Sequence, residues 1–124
     1  MKLEDKEKII RYKKSELELY EMDIENVSFR LPKSDSEMFD LTIKFNNCVW
    51  SYFTDVLNRI SIIVYSYKDN NPDNVVACIE LQDNEPVQVL GKYNNEITDE
   101  KDNEILDRYF DSLKTRMAAK RQNS

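Results

Sequence analysis

The alternation of hydrophobic and polar residues predicts a β-sheet in the middle of the chain. Residues 27–31 alternate and end at Pro32, and three further apolar runs lie at residues 61–67, 75–81 and 87–90. These runs are rich in β-branched side chains, which favour strands. Short loops join the last three runs, so an antiparallel meander is the simplest connection between them. We therefore expect an antiparallel sheet of three to four strands.

Helical spacing of apolar residues predicts helices that pack against this sheet. The clearest pattern predicts a long C-terminal helix over residues 99–117, with Thr98 as its N-cap. Two shorter helices are predicted at residues 35–42, after a capping box that begins at Ser34, and at residues 48–58. The predicted fold class is therefore α+β, with a small antiparallel sheet packed against helices.

The predicted elements divide the chain into three parts. Residues 1–22 are expected to form an N-terminal helical segment, residues 23–117 a single α+β domain, and residues 118–124 a flexible tail. The N-terminal segment either packs on the domain or serves in self-association as a homodimer. The charged N-terminus resembles no secretion signal and no apolar run is long enough to span a membrane, so we expect a cytoplasmic protein of a bacterial host cell.

Charge is distributed unevenly along the chain, whose net charge is −6. Both ends are basic, whereas residues 15–112 hold eight basic and 21 acidic residues, a net charge of −13. One interpretation is a solvated acidic face; the other is a surface that meets a basic partner. Direct nucleic-acid binding is not favoured, because only the ends are basic. The candidate acidic interaction surface consists of Asp69, Asp73, Asp83, Glu85, Glu96, Asp99 and Glu100.

Five polar or reactive residues occupy positions next to predicted core residues. Cys48 and Tyr52 lie on the apolar stripe of the second short helix, Glu80 and Gln88 lie on neighbouring strands, and Asn94 follows the last strand. They form a candidate polar cluster for a ligand. The alternative is structural: Cys48 packs where helix meets sheet, and Glu80 and Gln88 hydrogen-bond each other.

The chain offers little for catalysis, a metal or a nucleotide. Histidine is absent, which removes the usual neutral-pH base and the commonest metal ligand. We expect no catalytic residues, no metal and no cofactor. Cys48 and Cys78 are expected to be reduced thiols, with a disulfide between them left open. Gly91, the only glycine, is expected to have a positive φ, and it lacks the neighbours of a phosphate-binding loop.

Several short motifs follow one another in a distinctive order along the chain. They are Leu31-Pro32-Lys33-Ser34 with Glu37-Met38, Asn47-Cys48-Val49-Trp50-Ser51-Tyr52, Ile62-Ile63-Val64-Tyr65, Val76-Ala77-Cys78-Ile79-Glu80-Leu81, and Pro86-Val87-Gln88-Val89-Leu90-Gly91-Lys92 with Asn94-Asn95. Their order resembles one family, the C-terminal domain of PcfJ-like proteins from conjugative plasmids and related mobile elements. The resemblance covers about residues 27–113 and implies a plasmid- or phage-borne accessory protein. Where that family tends to have a histidine beside a Cys-Val pair, this chain has Asn46-Asn47.

Two functions are consistent with these features. The first is a non-enzymatic interaction protein of a plasmid or phage, whose acidic surface meets a basic, nucleic-acid-binding protein such as a host defence effector, as an anti-CRISPR inhibitor would. The alternative is a small cytoplasmic enzyme or ligand-binding module that uses the polar cluster of Cys48, Tyr52, Glu80 and Gln88. No membrane partner is expected in either case.

Overall fold

The computed structural model describes residues 7–122. It is an α+β fold in which helices cover both faces of one antiparallel sheet. The strands are β1 (Met22–Ile24), β2 (Val27–Arg30), β3 (Ile62–Lys68), β4 (Val75–Gln82) and β5 (Glu85–Leu90). The helices are α1 (Lys14–Tyr20), α2 (Asp35–Phe45), α3 (Phe53–Leu57) and α4 (Glu100–Gln122), with short 3₁₀ turns at Val49–Tyr52 and Lys92–Asn94.

The sheet is a meander in which each strand pairs with the next in the chain, in the order β1-β2-β3-β4-β5. The antiparallel meander predicted from the short loops is therefore confirmed. The prediction of three to four strands falls short by β1, because only three residues of Met22–Ile24 pair and so short a run gives little periodic signal. Strands β3 and β4 each have a neighbouring strand on both sides and are covered on both faces, which explains their continuous apolar runs.

One face of the sheet, here the α4 face, is covered by α1 and α4. The buried core on this face consists of side chains from strands β1 to β4 together with four residues of α4, which are Ile105, Leu106, Tyr109 and Leu113. Tyr109 is fully buried, stacks on Phe29 with ring centroids 4.2 Å apart, and donates a hydrogen bond to the carbonyl oxygen of Tyr20 at 2.8 Å. The long C-terminal helix is therefore fixed to the sheet by its central aromatic residue.

The opposite face, here the α2 face, carries a smaller core. Met38, Leu41 and Phe45 of α2 pack there with Val56 of α3. Ile63 points to this core, whereas its neighbours Ile62 and Val64 point to the α4 face, as the two-residue period of a strand requires. Part of the α2 face is not filled by apolar side chains, and that part holds the candidate site.

The predicted helices exist, but their limits differ. Residues 41–45, whose alternation also fits an extended segment, continue α2 to Phe45, where Asn46 ends it with a left-handed φ of 52°. The helix predicted at residues 48–58 is a 3₁₀ turn followed by the five-residue α3. Asp99, not Thr98, caps α4, since its Oδ2 accepts from the Asp102 amide at 2.9 Å.

The chain ends also differ from expectation. Residues 7–13 are not helical, so the N-terminal helical segment predicted for residues 1–22 is wrong there; residues 1–6 lie outside the described part. Instead Ile9 forms an antiparallel bridge with Ser34. Helix α4 runs past residue 117 to Gln122, and flexibility of residues 118–124, the last two of them not described, stays a prediction. Across residues 7–122, no helix is both long enough and apolar enough to cross a membrane.

Candidate functional site

A pocket of about 140 Å³ lies on the α2 face, between the chain after α2 and strands β4 and β5. All five residues of the predicted polar cluster line it: Cys48, Tyr52, Glu80, Gln88 and Asn94. The remaining lining residues are Asn47, Val49, Ile63, Cys78 and Leu90. The five cluster residues come from three separate parts of the sequence, which therefore meet at one cavity. Whether this cavity is functional stays a prediction.

The wall after α2 is held in place by local hydrogen bonds. The Val49 amide donates to Asn47 Oδ1 at 3.0 Å, and the Trp50 amide donates to Thr42 Oγ1 of α2 at 2.9 Å. Val49 is buried, which anchors the 3₁₀ turn, while Trp50 is half exposed. Tyr52 and the exposed thiol of Cys48 consequently face the pocket rather than completing a regular helix.

The sheet wall is formed by a cross-strand pair. Glu80 of β4 lies directly opposite Gln88 of β5, which confirms that the two side chains share one face of the sheet. The expected hydrogen bond between them is replaced by another arrangement: Glu80 Oε2 accepts from Ser61 Oγ at 2.8 Å and from Gln82 Nε2 at 3.1 Å. Within residues 7–122, the Gln88 amide makes no hydrogen bond and is open to the pocket.

The rim is formed by a strained turn after β5. Tyr93 and Asn94 both have left-handed backbones, with φ of 59° and 57°. The turn is closed by the Asn95 amide, which donates to the Lys92 carbonyl oxygen at 3.1 Å. A left-handed conformation is unfavourable for a bulky residue such as Tyr93, at a cost of about 1–2 kcal/mol. The turn nevertheless places Asn94 at the pocket.

Gly91, just before this turn, does not have the positive φ predicted for it. Its φ is −88° and its ψ is −160°, which is extended backbone open to any residue. A Cβ built there would lie 3.4 Å from Ile97 Cγ1 and 3.5 Å from the Val76 carbonyl oxygen, which are ordinary contacts. The left-handed backbone conformation occurs at Tyr93 and Asn94 instead, so the prediction of a positive φ at Gly91 was wrong.

Cys78 forms the buried floor of the pocket, although it was not among the predicted site residues. Burial raises the pKa of its thiol to about 12, against a smaller lowering by a hydrogen bond from the Asn47 side chain. Both cysteines are free. Cys78 and Glu80 are two residues apart on one strand, so the two-residue period of β4 was a signal that could have placed the thiol beside the carboxylate. Asn47 was noted only as a neighbour of the Cys-Val pair and not as a site residue.

The pocket combines hydrogen-bonding side chains with a single charged group. Glu80 is the only ionisable carboxyl or amine in its lining, and no lysine or arginine contributes. Among the described residues, the Tyr52 hydroxyl and the side-chain amides of Gln88 and Asn94 have no hydrogen-bond partner. Groups of this kind normally find partners in protein or water. The lining can therefore donate to and accept from a molecule that enters.

Metal binding has no geometric support in the described residues. No group of three or more Cys, Asp or Glu side chains within residues 7–122 is placed to hold a metal ion. Cys48, Cys78 and Glu80 line the pocket together but do not form such a group.

The residues of the candidate acidic interaction surface lie at two ends of the sheet. Asp83 and Glu85 lie at the β4–β5 turn, at the far end of β4 from the β3–β4 loop. The other five lie in that loop or around the start of α4. An ion pair between Lys68, the last residue of β3, and Asp102 in the first turn of α4, at 3.3 Å, holds the start of α4 next to this end of the sheet. These five are Asp69, Asp73, Glu96, Asp99 and Glu100. Asp73 is paired with Lys44 at 3.3 Å.

Comparison with known proteins gives one match. Searches of curated proteins and of solved structures found no similar protein. A family model described as PcfJ-like protein matches residues 1–106, a stretch that begins earlier than the resemblance read from the motifs and includes every residue of the pocket. Since the match spans most of the 124 residues, the chain belongs to the family of PcfJ-like proteins.

Proposed function

We propose that this protein binds a small molecule in the pocket on the α2 face. The observation that carries the proposal is the convergence of five polar side chains, from three separate segments, on one cavity whose hydroxyl and amide groups lack partners among the described residues. Gln88 and Asn94 are exposed at the mouth of the cavity, so their amides are open to solvent and can exchange water for a ligand at little cost.

The lining indicates the class of ligand. Glu80 is negative and no cation offsets it inside the pocket, so an anionic ligand would be repelled and a neutral or cationic one preferred. Glu80 Oε2 is occupied by Ser61 and Gln82, which leaves Oε1 to accept from the ligand. A cavity of about 140 Å³ suits a compact group. We infer a donor-bearing planar or aliphatic group such as an amidine, a guanidine, an amine or an amino-heterocycle.

A matched pair of probes tests this proposal. Benzamidine and benzoate have the same shape and size, but the first is a cation with hydrogen-bond donors and the second is an anion with acceptors only. We expect benzamidine to shift the side-chain amide signals of Asn47, Gln88 and Asn94 in ¹H–¹⁵N spectra, and benzoate to leave them unchanged. Equal shifts with both probes, or none with benzamidine, would contradict the proposal.

A variant separates binding at Glu80 from weak contact elsewhere. Glu80→Gln keeps an oxygen that can accept from Ser61 and Gln82 but removes the charge, so the fold is expected to survive. Benzamidine should then lose most of its affinity. The control is Glu85→Gln, which removes one negative charge from an exposed position that does not line the pocket. If the control loses affinity for benzamidine to the same degree, the binding depends on the overall charge of the protein and not on Glu80, which would contradict the proposal.

We also propose a second function, an acidic surface for a basic protein partner, on a separate observation. Five of the seven candidate acids lie at the end of the sheet where α4 begins. Such a surface would compete with nucleic acid for a basic protein of host defence, as the mobile-element origin of related sequences suggests. Asp69→Asn/Asp99→Asn/Glu100→Gln should abolish inhibition of a CRISPR effector's DNA binding at low salt, whereas Asp83→Asn/Glu85→Gln at the other end should not. Absence of inhibition by the unaltered protein would contradict this second proposal.

A further inference from the structure

Cations from both ends of the described chain line one cleft, although the sequence separates Arg11 and Lys13 from Lys120 by about a hundred residues. A cleft of about 550 Å³ lies beside the N-terminal segment and the end of α4. It shares no residue with the pocket on the α2 face. Its lining residues are Ile9, Arg11, Lys13, Ser15, Glu16, Leu57, Arg59 and Lys120.

The N-terminal segment presents its cations to the cleft by a two-residue alternation. Ile9, Arg11 and Lys13 line the cleft and are exposed, while Ile10 between them is buried in the core. Tyr12 is half-buried and donates a hydrogen bond to the Pro32 carbonyl oxygen at 2.7 Å. In an extended chain, alternate residues lie on one side at about 6.6 Å spacing. Arg11 and Lys13 therefore form a short row of positive charge.

The charge of this cleft is not cancelled within the protein. The one acid in its lining, Glu16, is held by Arg59, whose Nε lies 2.8 Å from Glu16 Oε2 and whose Nη2 lies 3.3 Å from Oε1. Among residues 7–122, Arg11, Lys13 and Lys120 have no ion pair with a carboxylate. The lining thus holds four cations and one acid, a net charge of +3, in a protein of net charge −6.

The cleft offers cationic side chains held by a segment whose inner edge is paired. The Ile10 amide donates to the Lys33 carbonyl oxygen at 2.8 Å, and the Asp35 amide to that of Lys8 at 3.0 Å. The Arg11 carbonyl oxygen accepts from Arg59 Nη2 at 2.8 Å. Phosphate groups bind to Arg and Lys side chains, and Ile9 and Leu57 offer apolar surface to sugar or base.

We propose that this cleft binds the phosphate backbone of a single-stranded nucleic acid, without sequence preference. The argument from the sequence against nucleic acid took the two basic ends separately, whereas the fold brings Arg11, Lys13 and Lys120 to one cleft. With three unpaired cations, counterion release predicts that affinity for a single strand falls with salt at a logarithmic slope of about −2. Affinity should therefore drop about 20-fold between 50 and 200 mM salt.

The experiment measures fluorescence anisotropy of fluorescein-labelled dT20 with the full chain at both salt concentrations. Arg11→Ala/Lys13→Ala should reduce the slope to about −0.7, so that salt lowers its affinity only about 3-fold. Lys92→Ala/Lys114→Ala is the matched control, because it removes two exposed cations that do not line the cleft and should keep the slope near −2. Arg11→Lys should also keep it, which shows that the fold of the segment tolerates substitution.

Several results would overturn the proposal. One is no change in anisotropy with the unaltered protein at 50 mM salt, and another is equal loss in the two double variants. Unlabelled competitors decide the class of partner. If poly-L-glutamate displaces dT20 at equal charge, the cleft serves acidic polypeptides; if tripolyphosphate does so at equal phosphate, it serves free polyphosphate. Each of these outcomes would replace a nucleic-acid strand as the partner.

Discussion

The two faces of the sheet differ in how completely they satisfy their own side chains. On the α4 face, Tyr109 is buried among apolar residues and its hydroxyl donates to the Tyr20 carbonyl oxygen. On the α2 face, the Tyr52 hydroxyl and the Gln88 amide face a pocket without a partner among the described residues. The α4 face is therefore filled by the protein's own side chains. The α2 face has polar groups that can bind a further molecule, and the proposed function depends on this difference.

Truncation of the α4 face should have the largest effect. Tyr109→Ala removes a fully buried ring, its stacking on Phe29 and its hydrogen bond, so we expect the free energy of unfolding to fall by about 3–5 kcal/mol. That is a large part of the 5–15 kcal/mol that is usual for a domain. Urea unfolding followed by circular dichroism measures it. In the same assay Gln88→Ala, on the open face, should cost less than about 1 kcal/mol.

An ion pair that joins the two layers should make stability depend on acid. The hydrogen bond from Arg59, just after α3, lowers the pKa of Glu16 in α1 below its usual value of 4.5. Because the folded pKa is the lower one, the stabilisation is complete above about pH 4.5 and is lost as pH falls through the folded pKa. Unfolding in urea from pH 7 to pH 3 should show this loss. It should be smaller in Glu16→Gln, and an equal loss in both proteins would contradict the assignment.

The two cysteines should react at very different rates, although both line the pocket. Cys48 is exposed, whereas Cys78 is buried and burial raises the pKa of its thiol to about 12. At pH 8 we expect a thiol-specific disulfide reagent to modify one cysteine quickly and the other only slowly. Cys48→Ser should remove the fast phase alone. Two fast phases of equal rate would mean that the pocket floor opens more readily than its packing indicates.

The smallest effect is expected at Gly91. Its φ is negative and a Cβ would meet ordinary contacts, so Gly91→Ala should change the free energy of unfolding by no more than about 1 kcal/mol. Thermal unfolding provides the measurement. A loss of more than about 2 kcal/mol would show that the backbone at the pocket rim requires glycine.

Periodicity predicted the α4 face well because that face is regular. The stripe of Ile105, Leu106 and Tyr109 in α4 and the alternation in β3 each reflect burial against one partner. The limits of elements were less predictable. The residues after Cys48 have helical spacing, yet Asn46 ends α2 with a left-handed backbone and the next turn is 3₁₀. Hydrogen bonds from the Val49 and Trp50 amides to the side chains of Asn47 and Thr42 stabilise that turn. Such bonds produce no periodic pattern of apolar residues that could be recognised in the sequence.

The candidate site was predictable as a set of residues but not as a geometry. The β4–β5 turn sets the pairs Gln82–Glu85 and Leu81–Pro86, but a bulge next to Glu80 shifts the register by one residue and brings Gln88 opposite it. The hydrogen-bond partner Ser61 was not predictable either, because it comes from just before β3 and reaches Glu80 only in the folded sheet. The meeting of Arg11, Lys13 and Lys120 at one cleft is likewise a property of the fold, since it depends on where the last turns of α4 lie relative to the N-terminal segment.

The most direct test of the difference between the two faces uses one variant and two measurements. Tyr52→Phe/Gln88→Ala removes two unpartnered polar groups from the pocket lining while leaving the α4 face unchanged. We predict that its urea unfolding free energy stays within about 1 kcal/mol of the unaltered protein. We also predict that benzamidine no longer shifts the side-chain amide signals of Asn47 and Asn94. A loss of stability near that of Tyr109→Ala, or unchanged shifts with benzamidine, would contradict the account.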